Sequence, residues 1–126
     1  MKRRPETAAH RDMRLDFYAD VLGKGPCYWR QFIPHTCDGP MDPCHIIPKQ
    51  FLKNHFYRED ADDIAAIVWD PHNGVPGCRA IHGQIDSRFH RIYREWLPPE
   101  TIAFAGYYDL GWWLDAHIPS LEGDAA

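Results

Sequence analysis

Residues that could take part in proton transfer or metal binding lie in two short segments rich in turn formers. His45 follows Cys44 and precedes an apolar pair and a proline. Asn73 stands in a predicted turn, and His82 follows it further along the chain. A histidine side chain titrates near neutral pH, so either histidine could exchange a proton with water. On a helix, residues four apart share a face, which would place Asp86 beside His82 as a nitrogen–oxygen pair suited to Mg²⁺, Mn²⁺ or Ni²⁺.

The order and spacing of these residues resemble the HNH endonucleases. The stretch C-H-I-I-P at 44–48 is similar to the family's D-H-I-x-P stretch. Asn73 is followed by Cys78 and His82 at the offsets of the family's N-x4-C-x2-C-H run. The resemblance implies a ββα-metal finger that hydrolyses DNA with one divalent cation, leaving 5′-phosphate and 3′-hydroxyl ends. It also implies catalytic roles for three residues: His45 as general base, Asn73 as the brace of its strand, and His82 as metal ligand.

The residue before the predicted base departs from the family pattern. Relatives with this motif carry a metal-binding Asp there, whereas this chain has Cys44, and a thiolate is a poor ligand for Mg²⁺. In one arrangement Cys44 is a small buried residue and the cation relies on His82 and Asp86. In the other, Asp42 reaches the cation from two positions upstream. The predicted ligands of the cation are His82, Asp86 and Cys44.

Three further cysteines raise the question of a structural zinc ion. Many relatives brace the finger with four cysteines, and three of these are matched here, by Cys27, Cys37 and Cys78. The fourth position holds Ile81. Three thiolates and one imidazole also form a zinc site, and either His35 or His72 could complete it. Alternatively, apolar packing has replaced the zinc.

The distribution of charge is compatible with DNA as the partner. The net charge is −4, but six of the 18 acids lie after Arg94, where no Lys or Arg occurs. Residues 1–94 therefore carry 14 bases against 12 acids. This balance predicts weak, salt-sensitive binding to DNA. Four basic residues flank the predicted site and are expected to contact phosphates: Lys49, Lys53, Arg79 and Arg88.

The chain length fits one α+β domain over residues 1–126. Its predicted parts are an N-terminal helix over 5–22, a finger core over 27–96, C-terminal helices over 99–117, and a frayed tail over 118–126. Strands are expected around 28–33, 44–47 and 64–69. Residues 49–63 are predicted to form a variable loop with one helical turn. The metal-bearing helix is expected to run from Cys78 to Trp96, with the last helix at about 110–117.

Other classes of protein stay open at this point. A non-catalytic zinc- or nucleic-acid-binding module would keep the same fold, and a cysteine nucleophile at Cys44 would need a histidine other than His45. No apolar run approaches the roughly 20 residues that cross a membrane, and no secretory signal is recognised. We therefore expect a cytoplasmic protein, with an oligomer or protein partner unspecified. The resemblance over residues 37–117 to small phage HNH proteins suggests a homing or packaging role.

Overall fold

The computed structural model describes residues 6–88 and 90–123, and its class is α+β, as predicted. Strand β1 (Met41–His45) pairs with strand β2 (Gly74–Cys78) in an antiparallel two-stranded sheet. The register places Cys44 opposite Val75 and His45 opposite Gly74. A helix follows β2 without any intervening residue. The two strands and this helix carry six of the predicted site residues: Cys44, His45, Cys78, Arg79, His82 and Asp86.

Six α-helices surround the sheet within the described part of the chain. They are α1 (Ala8–Leu22), α2 (Lys49–His55), α3 (Ala61–Val68), α4 (Arg79–Asp86), α5 (Pro99–Tyr107) and α6 (Gly111–His117). Three short 3₁₀ turns connect them: Tyr28–Gln31, Pro71–Asn73 and Arg94–Trp96. The predicted N-terminal and C-terminal helices are thus present, although Pro5 lies outside the described residues. None of the described helices has the length and apolar character that crossing a membrane requires.

Two predicted strands are wrong. Residues 28–33 form a 3₁₀ turn instead, and residues 64–69 belong mainly to helix α3. Asp60 caps α3 by accepting a hydrogen bond from the Asp63 N–H at 2.9 Å, and acidic residues in the first turn favour a helix start. The apolar run at 64–69 is so short that its pattern is compatible with either a helix or a strand.

The predicted loop over 49–63 is also more regular than expected, because it contains α2 and the start of α3. In contrast, the helix predicted from Cys78 to Trp96 ends at Asp86. Arg88 adopts a φ of 64°, in the left-handed region that terminates helices.

Helix α1 packs directly against the start of β2. Phe17 and Val21 are fully buried, and both contact the position of Gly74. A Cβ atom at Gly74 would lie 2.6 Å from Val21 and 2.8 Å from Phe17, closer than real side chains approach. Glycine at this position therefore allows the helix to lie against the sheet beside His45.

The segment predicted to fray is anchored as far as it is described. Ile118 is buried, and the Arg94 N–H donates to the Pro119 carbonyl at 3.0 Å. The Leu121 N–H donates to Glu95 at 2.9 Å. Residues 118–123 thus lie against the turn at Arg94–Trp96, and residues 124–126 lie outside the described part.

Asn73 joins the two strands through its side chain and is fully buried. Its Oδ1 accepts a hydrogen bond from the Ile47 N–H at 2.9 Å, and its Nδ2 donates to the Ile47 carbonyl at 3.0 Å. The Asn73 carbonyl accepts a third bond, from the Ile46 N–H, at 3.0 Å. These bonds fix the chain that leaves β1 to the turn that precedes β2.

We predict that Asn73→Ala lowers the free energy of unfolding by about 2–4 kcal/mol, because it leaves two buried backbone groups of Ile47 without partners. The measurement is the urea unfolding midpoint. Asn54→Ala is the matched control, since Asn54 is exposed on α2 and its side chain accepts a hydrogen bond from Gln50 of the same helix. It should change stability by less than about 0.5 kcal/mol. Equal losses in the two variants would contradict the bracing role.

Candidate functional site

An open cleft of about 650 Å³ lies between β1, α4 and Trp69, the residue that follows α3. Six polar or aromatic residues line it among others: Asp42, His45, Lys49, Trp69, Arg79 and His82. His45 ends β1 and His82 stands on α4, so the structure brings together two histidines that are 37 positions apart. Asp86 lines the same cleft.

His45 is held in one orientation and one tautomer. Its Nε2 lies 2.8 Å from the Val68 carbonyl, which can only accept, so Nε2 carries the proton. That carbonyl is one of the unpaired groups at the end of α3. The imidazole also stacks on Phe17, with ring centroids 4.5 Å apart. Nδ1 is therefore left as a lone-pair acceptor.

The surroundings of His45 keep its ring neutral. Burial is the largest influence, and it lowers the pKa of His45 to about 4, against a smaller opposing effect of the bond to Val68. Lys49 and other nearby positive charges lower it further. At pH 7 the imidazole is accordingly an unprotonated base.

His82 lies between two carboxylates. Its Nδ1 is 3.2 Å from Asp42 Oδ2, and its Nε2 is 3.2 Å from Asp86 Oδ2. The Asp42 side chain is only 18% exposed, whereas that of Asp86 is 70% exposed. Arg79 pairs with Asp42 at 3.1 Å and is the main cause of the lowered pKa of that carboxyl. Asp42 is thus a fixed anion that orients the His82 ring.

The pair of His82 and Asp86 has the spacing of two neighbouring metal ligands. Ligand atoms about 2.0–2.1 Å from an octahedral ion lie about 3.0 Å apart, close to the 3.2 Å seen here. If Asp42 accepts a hydrogen bond from Nδ1–H, the other ring nitrogen, Nε2, would face the cation. This arrangement is common among metal-binding histidines. The sequence allows Asp42 to be a metal ligand as well. In the structure Asp42 contacts Nδ1 of His82, on the side of the imidazole opposite to Asp86.

Cys44 also lines the cleft, and its role as a metal ligand stays a prediction that its surroundings do not favour. It is 3% exposed, and its Sγ packs where a Cβ of Gly77 would lie, beside Trp29. Burial raises the pKa of the thiol to about 12, with a further contribution from Asp42. A protonated thiol is a poor ligand for a hard cation and a poor nucleophile.

A second group of potential ligands lies apart from the cleft lining. Cys27, His35, Cys37 and Cys78 place one ligand atom each within 4.8 Å of the others. His35 Nε2 is 3.6 Å from Cys27 Sγ, and 3.5 Å from the sulfurs of Cys37 and Cys78. Sulfur and nitrogen ligands of a tetrahedral zinc ion lie roughly 3.5–3.6 Å apart. The group could bind a metal ion such as Zn²⁺.

Neighbouring hydrogen bonds prepare this cluster for a cation. His35 Nδ1 lies 2.7 Å from the Ile33 carbonyl and so carries the proton, which leaves Nε2 to face the three sulfurs. The Cys78 N–H donates to Cys27 Sγ at 3.4 Å. Although burial opposes ionisation, hydrogen bonds from Ile81 and other neighbours lower the pKa of Cys78 to about 7, whereas burial and the neighbouring thiols raise the pKa of Cys37 to about 11.

The structure distinguishes between His35 and His72, the two candidates for the fourth ligand. His35 lies in the cluster, whereas His72 is exposed and pairs with Asp70 at 2.8 Å. Ile81, at the position of the family's fourth cysteine, is fully buried in the core. Sequence spacing named His35 only as one of two candidates, because its approach to Cys78 depends on the tertiary fold.

The predicted phosphate-binding residues do not form one group. Lys49 and Arg79 line the cleft, with Lys49 Nζ 5.4 Å from the centre of the Trp69 ring. Arg88 lines an adjoining cavity, and Lys53 is exposed on α2, outside the lining of either cavity. The structure therefore places two of the four beside the two histidines.

Comparison with known proteins gives no relative from which a function could be transferred. The chain matches no family model, and no curated protein or solved structure matches it. Any function assigned to the chain therefore rests on its own residues and their geometry.

The lowered pKa of His45 predicts a pH-dependent stability. Between pH 6.5 and about 4 the unfolded chain binds a proton at this residue and the folded chain does not, so folding stability falls as the pH falls. We expect a loss of roughly 2–3 kcal/mol over this range. His45→Gln keeps a donor near Val68 but does not titrate.

The measurement is urea unfolding of both proteins at pH 7 and pH 4.5. Other titrating groups are common to the two chains, so the difference between them isolates His45. The wild type should lose stability relative to His45→Gln on acidification. An equal pH dependence would show that the His45 ring is not held neutral.

Proposed function

We propose that the protein is a metal-dependent DNA endonuclease with a ββα-metal finger formed by β1, β2 and α4. The observation that carries the proposal is the shared cleft, which a neutral His45 lines together with His82 and Asp86. The ordered resemblance to HNH endonucleases identifies the same residues independently of the geometry.

His45 is the general base of the proposed reaction. Its Nδ1 accepts a proton from the attacking water, because Nε2 is already committed to the Val68 carbonyl. The bond to Val68 and the stack on Phe17 hold the ring in place during proton transfer. Asn73 contributes indirectly, since its bonds to Ile47 fix the end of the strand that carries His45.

His82 and Asp86 hold the catalytic cation in this proposal, and Asp42 positions the His82 ring. When bound, a divalent cation such as Mg²⁺, Mn²⁺ or Ni²⁺ supplies positive charge that stabilises the phosphate and the departing 3′ oxygen. Lys49 and Arg79 bind the phosphate from the rim of the cleft. The products carry 5′-phosphate and 3′-hydroxyl ends.

We also propose that the Cys27, His35, Cys37 and Cys78 cluster binds a structural Zn²⁺. The sulfur–nitrogen distances of 3.5–3.6 Å match a tetrahedral zinc site. The cluster joins Cys78, at the end of β2, to the segment that precedes β1. A chain of 126 residues has a modest core, and a metal crosslink of this kind stabilises small domains.

The zinc proposal predicts about one zinc ion per purified chain by elemental analysis. His35→Ala and Cys37→Ser should each lower the zinc content and the melting temperature, because each removes a ligand. His72→Ala is the matched control, since His72 is the exposed alternative, and it should retain zinc. A metal-free wild type, or loss of zinc in His72→Ala alone, would refute the assignment.

The nuclease proposal predicts plasmid cleavage that depends on an added divalent cation. His45→Gln should reduce the rate about 10²–10⁴-fold while the protein stays folded and keeps its zinc. The assay compares EDTA, Mg²⁺, Mn²⁺, Ni²⁺ and Zn²⁺, with circular dichroism to follow folding in each. His10→Ala is the control, because His10 lies on α1 and pairs with Asp62. Full activity of His45→Gln in a clean preparation would overturn the proposal.

Ligand variants test the metal assignment separately. His82→Ala should abolish activity at any cation concentration, and Asp86→Ala should raise the concentration of Mg²⁺ or Mn²⁺ that gives half-maximal cleavage. The smaller effect of Asp86 follows from its 70% exposure, which leaves room for water to replace it. Unchanged metal dependence in both variants would place the cation elsewhere.

A non-catalytic zinc- or nucleic-acid-binding module is the second candidate function. The buried Cys44, standing where relatives carry a metal-binding acid, favours it, as does the complete Cys/His cluster. Such a module would bind zinc and DNA and cleave nothing with any of the cations tested. The cleavage assay therefore separates the two candidates.

A further inference from the structure

The cleft that holds His45 and His82 continues into a second cavity. This cavity has a volume of about 820 Å³ and lies towards α6. Five residues line both spaces: Ile46, Pro48, Ile85, Asp86 and Ile92. One groove therefore runs from the histidines past Asp86 to the segment that follows α4.

The far part of this groove carries two exposed arginines. Arg88 and Arg91 both line it, both are exposed, and within residues 6–88 and 90–123 neither guanidinium pairs with a carboxylate. Asp115 also lines it but pairs with Arg94 at 3.1 Å. The one acid besides Asp115 among the residues that line this cavity is Asp86, at the junction with the cleft.

Arg88 occupies a backbone conformation that disfavours it. Its φ of 64° lies in the left-handed region, where a side chain with a Cβ is strained and glycine is the usual residue after a helix. The only hydrogen bond of Arg88 shown within the described residues is made by its backbone N–H, to the Ile85 carbonyl at 3.0 Å. Glycine would make the same bond without strain, so no hydrogen bond shown within the described residues accounts for an arginine at this position.

We propose that this second half of the groove binds the sugar–phosphate backbone of the DNA strand on one side of the scissile phosphate, with Arg88 and Arg91 contacting its phosphates. The inference rests on the proposed nuclease function and extends it, since it assigns the path of the strand beyond the cleft. Arginine forks pair with phosphate oxygens in two parallel hydrogen bonds.

The test measures DNA binding by fluorescence anisotropy in the His45→Gln background with Mg²⁺ present, between 50 and 200 mM salt. Arg88→Gly and Arg91→Ala should each weaken binding roughly three- to tenfold, and each should reduce the slope of log K against log salt by about 0.9. Arg88→Gly should melt no lower than its parent, since it relieves strain. Arg58→Ala is the matched control, because Arg58 stacks on Tyr57 and lines neither cavity.

Arg58→Ala should leave both affinity and slope unchanged. If Arg88→Gly and Arg91→Ala bind DNA as their parent does, or if Arg58→Ala loses as much, the assignment of the groove is wrong. A protein that binds DNA through these arginines but cleaves none would retain the groove assignment and lose the nuclease proposal. If the protein cleaves DNA normally with both arginines replaced, the nuclease proposal is retained and the groove assignment is wrong.

Discussion

The paired hydrogen bonds between the Asn73 side chain and the Ile47 backbone hold the site together. A two-stranded sheet of five-residue strands is marginal by itself, so something besides ladder bonds must fix its register. The buried amide does this by satisfying both backbone groups of the residue two positions beyond His45. The base-bearing end of β1 then lies opposite Gly74, where α1 packs closely enough for Phe17 to stack on the imidazole.

Alternation along β1 gives the neighbouring residues Cys44 and His45 different surroundings. Successive side chains of a strand point to opposite faces, so Cys44 packs towards Trp29 and Gly77 while His45 lies against α1. Cys44 is buried, yet it lines the same cleft as His45. Burial raises the pKa of its thiol, which therefore stays protonated although it is adjacent in sequence to the proposed base.

The two histidines of the cleft differ because their surroundings differ. His45 is mostly buried and contacts a helix-terminal carbonyl and aromatic rings, an environment that favours the neutral base. His82 lies between two carboxylates, an environment that favours a cation close to the ring. In the proposed mechanism one residue type thus provides both a proton acceptor and a metal ligand.

Local sequence determined the ordered His45, Asn73 and His82 pattern, the α+β class, and the helices whose ends are marked by prolines and turn residues. It did not determine that 64–69 is helical, since a short apolar run suits either structure until its neighbours are placed. That helix matters, because its terminal carbonyl orients His45. The choice of His35 over His72 and the position of Asp42 behind His82 were also decided only by the tertiary structure. Contacts between residues tens of positions apart depend on how the strands and helices pack, and spacing along the chain carries no record of that packing.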